Sequence, residues 1–440
     1  MKPRGRRPSE RSHTMAASPL VSRRAVLGLA AFGGVAAFLA ACGSRPSSPR
    51  PSLSASGESG QGSPLLPSPS LEPTTGPSSE PSPPPPPSAS PSPTAKPITL
   101  EAKIAGLIVV GFRGSALADA PWVRSALARS GLGGVILFDR DQLTGGARNV
   151  LGPSQLKKLT ADLHAAAGDR TIVVSVDQEG GIVTRLGPSH GFPAVASEAD
   201  IGKEGSTATR RWARSIGTTL ADNGFNLNFA PVVDLDVNPA SPAIGALDRS
   251  FSADPDVVVA KATIEIDEHR RVGVRTTLKH FPGIGSSTAN TDFGVADVTA
   301  TWTRKELEPF RELIAGQHAD VVMAGHVVNR KLDADRPASL SRAVVTGLLR
   351  GELGWDGPVV TDDLQAAAIT KAFGRDEAIL LALEAGNDLL LFANQQVYDA
   401  KIVARVIGVV RAAVVSGRIS AARIDESYGR VHALLHRSPG

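Results

Sequence analysis

Seven residues of this 440-residue chain sit at or just past the ends of short apolar runs: Asp177, Asp234, Lys279, His280, His326, Asp362 and Asp363. Carboxylate, ammonium and imidazole groups are the ones that attack carbon, move protons and clamp polar substrates. Helix N-capping would account for each aspartate taken alone, but not for the lysine and histidines beside them. The set therefore reads as a convergent site. The lone cysteine, Cys42, excludes a disulfide framework and any thiolate metal cluster, since both need several sulfurs.

A convergent site needs elements that bring it together. Strand-like runs are read at Leu107–Phe112, Gly134–Phe138, Thr171–Val176, Asn228–Val233, Val274–Leu278, Val321–Ala324, Pro358–Thr361 and Asp388–Phe392. Helical patterns lie between them at Pro153–Ala167, Ser206–Asn223, Asp256–Val272, Thr303–Gly316, Ser341–Leu353, Arg375–Ala385 and Ala400–Ser416. Strands that alternate with helices and are apolar on both faces indicate a parallel sheet covered by helices. Eight such units predict an α/β fold, a closed (β/α)8 TIM-type barrel whose chemistry gathers after the strands.

Several blocks carry these residues: Val176-Asp177-Gln178-Glu179-Gly180-Gly181 with Arg185, Asn228-Phe229-Ala230-Pro231-Val232-Val233-Asp234, Arg249-Ser250-Phe251, Lys279-His280-Phe281-Pro282-Gly283, Met323-Ala324-Gly325-His326, and Gly357 through Leu364. In this order they resemble the successive signatures of glycoside hydrolase family 3. The resemblance spans residues 98–440. With no second domain, it is similar to the single-domain β-N-acetylglucosaminidase (β-hexosaminidase) branch.

The resemblance implies a retaining hydrolase, in which one carboxylate attacks the anomeric carbon and a second group protonates the leaving oxygen. It places the nucleophile at Asp362, with Asp363 expected to cap a helix or orient the site. It also places sugar-binding groups at Asp177, Arg185, Arg249, Lys279 and His280. Asp234 and His326 are either supporting groups or direct sugar contacts. Gly180 and Gly181 are expected at close backbone approaches or positive φ.

One loop departs from the family pattern. Where the branch continues Pro-Gly-His-Gly and then Asp-Ser-His, with the last Asp and His forming the acid/base pair, this chain reads Pro282-Gly283-Ile284-Gly285 and then Asn290-Thr291-Asp292. Asn290 falls at the family's aspartate and Asp292 at its histidine. A buried carboxylic acid can protonate a leaving group, so Asp292 is the candidate acid/base. A carboxylate there repels a phosphate acceptor and favours hydrolysis over phosphorolysis. No metal or other cofactor is expected.

The rest of the chain is of a different kind. Arg23 and Arg24 precede an uncharged run from Ala25 to Ala41 that ends at Cys42. The run resembles the signal and lipobox of bacterial lipoproteins, so residues 1–42 are expected to be an export signal and Cys42 the lipidation site, with translation starting at Met1 or Met15. Residues 43–97 form a Pro/Ser-rich linker that holds 17 of the 33 prolines and is too poor in large apolar side chains to build a core. From Ile98 onward the chain carries 37 basic and 39 acidic residues, so the positive excess behind the net charge of +4 comes from the leader and nucleic acid is not an expected partner. The chain thus reads as a monomeric exo-glycosidase at the outer face of the cytoplasmic membrane, removing terminal β-linked N-acetylglucosamine from muropeptide or chitin-type fragments. A glycan-binding lipoprotein without catalysis, or a β-glucosidase or xylosidase of the same fold, are the alternatives.

Overall fold

Eight parallel strands follow one another around the domain: β1 (Ile108–Gly111), β2 (Gly134–Ile136), β3 (Val173–Val176), β4 (Leu227–Asn228), β5 (Arg275–Phe281), β6 (Val321–Ala324), β7 (Val359–Thr361) and β8 (Leu390–Phe392). Every sequential neighbour pairs in parallel, and β8 returns to β1 in the register Ile108↔Leu390. A parallel bridge between Val360 and Leu389 closes the ring between β7 and β8. This is the expected (β/α)8 barrel, seen in a computed structural model that describes residues 97–290, 294 and 296–436. The leader calls at residues 1–42, Cys42 and nearly all of the linker lie outside the described residues.

The runs form strands because Val, Ile and Leu fill both faces, one toward the barrel interior and one toward the helices. Every residue of β1, β2, β3 and β6 is buried. Between them lie the helices Pro153–Ala166, Ser206–Asp222, Pro255–Arg270, Glu308–Ala315 and Arg375–Ala385, and Ile402–Val415 follows β8.

Some boundaries differ from the sequence reading. β4 ends at Asn228 rather than Val233 because Pro231 has no N–H for the ladder, and the chain keeps to β5 beyond it through the Thr277 N–H to Ala230 carbonyl bond and the Val232–Lys279 bridge. The Thr303–Gly316 pattern divides into a tight turn at Arg304–Leu307 and a helix whose first turn holds Pro309. Ser341–Leu353 forms as a wide helix, Ala343–Glu352, with Leu353 N–H donating to the Leu348 carbonyl five residues back. Two helices that the periodicity did not single out, Leu100–Gly106 and Ala421–His436, pack together at the start and end of the described chain.

Buried polar groups set the two ends of the barrel. At the mouth, the fully buried Arg148 donates to the carbonyls of Phe112, Ala393 and Asn394, tying the end of β1 to the end of β8. Below β8, the buried Asp388 accepts from Arg350 (2.7 Å), Ser427 (2.7 Å) and the Val359 N–H (3.0 Å), and faces Arg423 and Arg430 of the last helix.

Candidate active site

Asp177, Arg185, Arg249, Lys279, His280, Asn290, Asp362 and Asp363 line one cavity at the C-terminal ends of the strands, together with Glu179, Met323 and Gln395. The (β/α)8 fold gathers groups from five loops this way, because successive strands deliver their last residues to one rim. Asp292 lies outside the described residues, so the candidate acid/base has no position here.

The cavity floor is an ion network. Lys279, 2% exposed at the end of β5, places its Nζ 2.9 Å from Asp177 Oδ1 and 2.5 Å from Glu179 Oε1. Arg249 grips the same Glu179 with two parallel hydrogen bonds of 2.8 Å, from Nε and Nη2, and donates through Nη1 to the Ala243 carbonyl. Burial works to raise the Glu179 carboxyl, but Arg249 and Lys279 hold it well below the usual carboxylate range. Burial works to lower the Lys279 ammonium, which Asp177 and Glu179 instead hold above its ordinary value. Both charges therefore persist in a nearly dry site. Glu179 was not among the residues singled out from sequence. Its signal was available, since in extended backbone residues i and i+2 share a face and Asp177 and Glu179 are so spaced.

Gly180 and Gly181 both adopt positive φ, 103° and 55°, and a Cβ on Gly180 would overlap the Ala196 carbonyl. The turn thus returns the chain to Val183–Thr184, whose antiparallel pairing with Gln178 brings Arg185 to the rim. Arg185 lies 3.9 Å from Asp139 with its guanidinium over the Phe138 ring.

His280 is oriented from behind. Asp234, fully buried, accepts from His280 Nδ1 (2.7 Å), from the His280 backbone N–H (3.1 Å) and, through Oδ1, from the Ile284 N–H (2.8 Å). The Nδ1 proton is thereby fixed toward Asp234, and Nε2 faces the cavity 3.5 Å from Arg249 Nη2. His326 is likewise behind the site. Its Nε2 meets the Asp363 carbonyl at 2.8 Å and its Nδ1 meets Ser339 Oγ at 2.7 Å. A carbonyl only accepts, so Nε2 carries the proton. Asp234 and His326 hold the site's walls and do not line the cavity.

Asp362 follows β7 directly and is partly exposed to the cavity. Its Oδ1 accepts from the Asp363 N–H at 2.8 Å. Burial works to raise its carboxyl, but the His326 and His280 imidazoles, the Asp363 amide and Lys279 together hold it below its ordinary value. It is therefore an ionised carboxylate in the barrel mouth. Of the two roles expected for Asp363, orienting the site and capping a helix, the cap is not made, because the next helix begins only at Ala367. Asp363 Oδ1 accepts from the N–H groups of Gln365 and Ala393, pinning the loop after β7 to the end of β8.

Comparison with known proteins agrees with this geometry. The model of the glycosyl hydrolase family 3 N terminal domain matches residues 99–434. The chain is 30% identical over 343 residues to beta-hexosaminidase A of Pseudoalteromonas piscicida, covering 72% of this chain and 56% of that one. Among solved structures it resembles a glycoside hydrolase family 3 beta-N-acetylglucosaminidase from Paenibacillus sp. str. FPU-7, with 36% identity, a TM-score of 0.70 and coverage of 77% and 62% of the two chains. It also resembles a beta-N-acetylhexosaminidase from Beutenbergia cavernae DSM 12333, with 32% identity, a TM-score of 0.69 and coverage of 78% and 99%. The chain thus spans little more than half of the Pseudoalteromonas protein and nearly all of the Beutenbergia one.

Proposed function

Since the chain belongs to glycosyl hydrolase family 3, we propose that it is a retaining exo-glycosidase that removes terminal β-linked N-acetylglucosamine from muropeptide or chitin-type fragments. The observation that carries this reading is an ionised aspartate, Asp362, at the mouth of a cavity whose floor is the Asp177–Lys279–Glu179–Arg249 network.

Such a floor suits a sugar. Each hydroxyl both donates and accepts, so the Asp177 carboxylate, the Lys279 ammonium, the Arg249 and Arg185 guanidinium groups and His280 Nε2 select one arrangement of hydroxyls. With the ring held there, the Asp362 carboxylate attacks the anomeric carbon as the C–O bond to the leaving group breaks, giving a glycosyl-enzyme ester. Asp292 is assigned the proton delivered to the leaving oxygen, and it then takes a proton from the water that cleaves the ester. The two displacements restore the starting configuration.

The same reading has the chain exported and held as a monomer at the outer face of the cytoplasmic membrane through a lipid on Cys42, with residues 43–97 as its tether. Cys42→Ala is expected to move the protein from the membrane fraction to a soluble pool and to abolish labelling by a radioactive fatty acid. Unchanged labelling would refute the anchor.

The activity is tested by turnover of aryl β-N-acetylglucosaminide and aryl β-glucoside, with Asp362→Asn and Asp292→Asn as controls. Turnover of the acetamido substrate that Asp362→Asn abolishes is the expected result. Preference for the glucoside would transfer the chain to the glucosidase alternative. Sugar binding without any turnover would make it a glycan-binding protein, the outcome that the altered loop around Asn290 favours.

A further inference from the structure

Glu306 lies in the tight turn Arg304–Leu307 that precedes the helix Glu308–Ala315, and only 1% of it is exposed. Its carboxyl reaches under the loop that leaves β5. Oε2 accepts from the Ser286 N–H at 3.2 Å, while Oε1 and the Ser286 hydroxyl are buried without a hydrogen bond. Gly283, at φ 103°, rests on it so closely that a Cβ there would come within 2.7 Å of the Glu306 Cβ. On the other side of the loop, Asp234 takes the Ile284 N–H and orients His280.

We propose that Glu306 is a positioning residue of the active site: with Asp234 it clamps the β5 loop by the amides of residues 284 and 286, and so fixes His280 and the approach to Asn290. This rests on the hydrolase reading given above. The charge on the clamp is set by its neighbours. Asp234 faces Glu306 from the segment that follows β4, the β5 loop presents the Ser286 amide and hydroxyl, and on its own turn Arg304 pairs with Glu352 while Lys305 donates to the Ala253 carbonyl. Burial pushes the Glu306 carboxyl up to about 7, against the pull of Ser286. Below that pH the Glu306 arm of the clamp is neutral. Above it the arm carries a buried charge answered by little besides the Ser286 amide, and the clamp on the loop loosens.

The test follows kcat/KM for an aryl β-N-acetylglucosaminide, and the Kd for N-acetylglucosamine, from pH 5 to pH 9 in the full chain, Glu306→Gln and Glu306→Ala. Expected are a wild-type decline above about pH 7, displacement of its midpoint upward by a pH unit or more in Glu306→Gln, and a KM raised ~10-fold at pH 6 in Glu306→Ala that glutamine restores. A Glu306→Gln midpoint coincident with wild type, or a Glu306→Ala KM equal to wild type in a variant that melts cooperatively, would overturn the proposal. If the wild type turns over nothing, the hydrolase reading fails separately, and the Kd profiles decide the clamp by the same displacement.

Discussion

Lys279 Nζ answers two carboxylates at once, Asp177 at 2.9 Å and Glu179 at 2.5 Å, while Glu179 is also gripped by Arg249. Glu179 is therefore the shared counter-ion of two cations that line the cavity. Glu179→Gln keeps the volume but turns an NH2 toward one of those cations. Breaking a buried pair costs about 3–5 kcal/mol because the remaining charge is left unanswered. We expect kcat/KM to fall by ~10²-fold or more, mostly through KM, with the melting temperature lowered. Steady-state kinetics alongside thermal melts check this. A KM equal to wild type would place Glu179 outside the binding floor.

On the proposed mechanism Asp362→Asn removes the attacking charge and leaves the shape of the mouth. Loss of a nucleophile costs at least ~10³-fold in kcat, with the affinity for N-acetylglucosamine nearly retained. Proton NMR of early product should show the β-anomer first for the wild type. Initial release of the α-anomer would mean direct displacement by water and would remove Asp362 from the role of nucleophile.

The barrel was legible in the sequence because its signal is local: eight apolar runs, each ending in a turn, need no knowledge of distant contacts. Asp177, Lys279, His280, Asp362 and Asp363 were legible for the same reason, as they sit at strand ends, whereas Arg185, Arg249 and Asn290 were legible only through the resemblance of their blocks to the family's; all eight meet in one cavity. Glu306 and the pair Glu198 and Glu265 were not. All three are nearly or wholly inaccessible, yet each lies in a turn or helix, where glutamate is ordinarily a solvent-facing residue and nothing in the spacing marks it as buried. Nor could spacing decide between contact and support for Asp234 and His326, since that depends on which side of the strand ends the cavity opens.

Glu198 and Glu265 lead to a pH prediction. Glu198 Oε1 accepts from the Val232 N–H at 2.9 Å, but its Oε2 and both oxygens of Glu265 are buried without partners. Burial, and then the nearby carboxylates, push both well above the usual carboxylate range. In the unfolded chain these groups ionise near 4.5, so as pH rises past that value the unfolded state releases protons that the folded state retains, and stability falls. Glu265→Gln abolishes its share of that dependence. Its melting temperature should exceed the wild type's on the order of 2–4 °C at pH 8, and the difference should shrink toward pH 4. Parallel melting curves for the two proteins across this range would exclude Glu265 as the source.

Asp388 offers the opposite case, a buried carboxylate on which cations converge. Arg350, Arg423 and Arg430 approach it at 2.7, 3.3 and 3.4 Å, and the last two belong to the helix Ala421–His436 that closes the base of the barrel. Asp388→Asn keeps the hydrogen-bonding outline and leaves these guanidinium groups facing an amide. A loss of about 3–5 kcal/mol is expected, read as a lower urea midpoint. Because the change lies at the end of the barrel opposite Asp362, kcat at 25 °C in the folded protein should stay within about twofold of wild type. Early cleavage by a protease within residues 421–436 should accompany the loss, since the last helix is tied to the strands by this carboxylate. Wild-type stability in Asp388→Asn would mean that apolar packing by Ile424, Val431 and Leu434 holds that helix without the ion cluster.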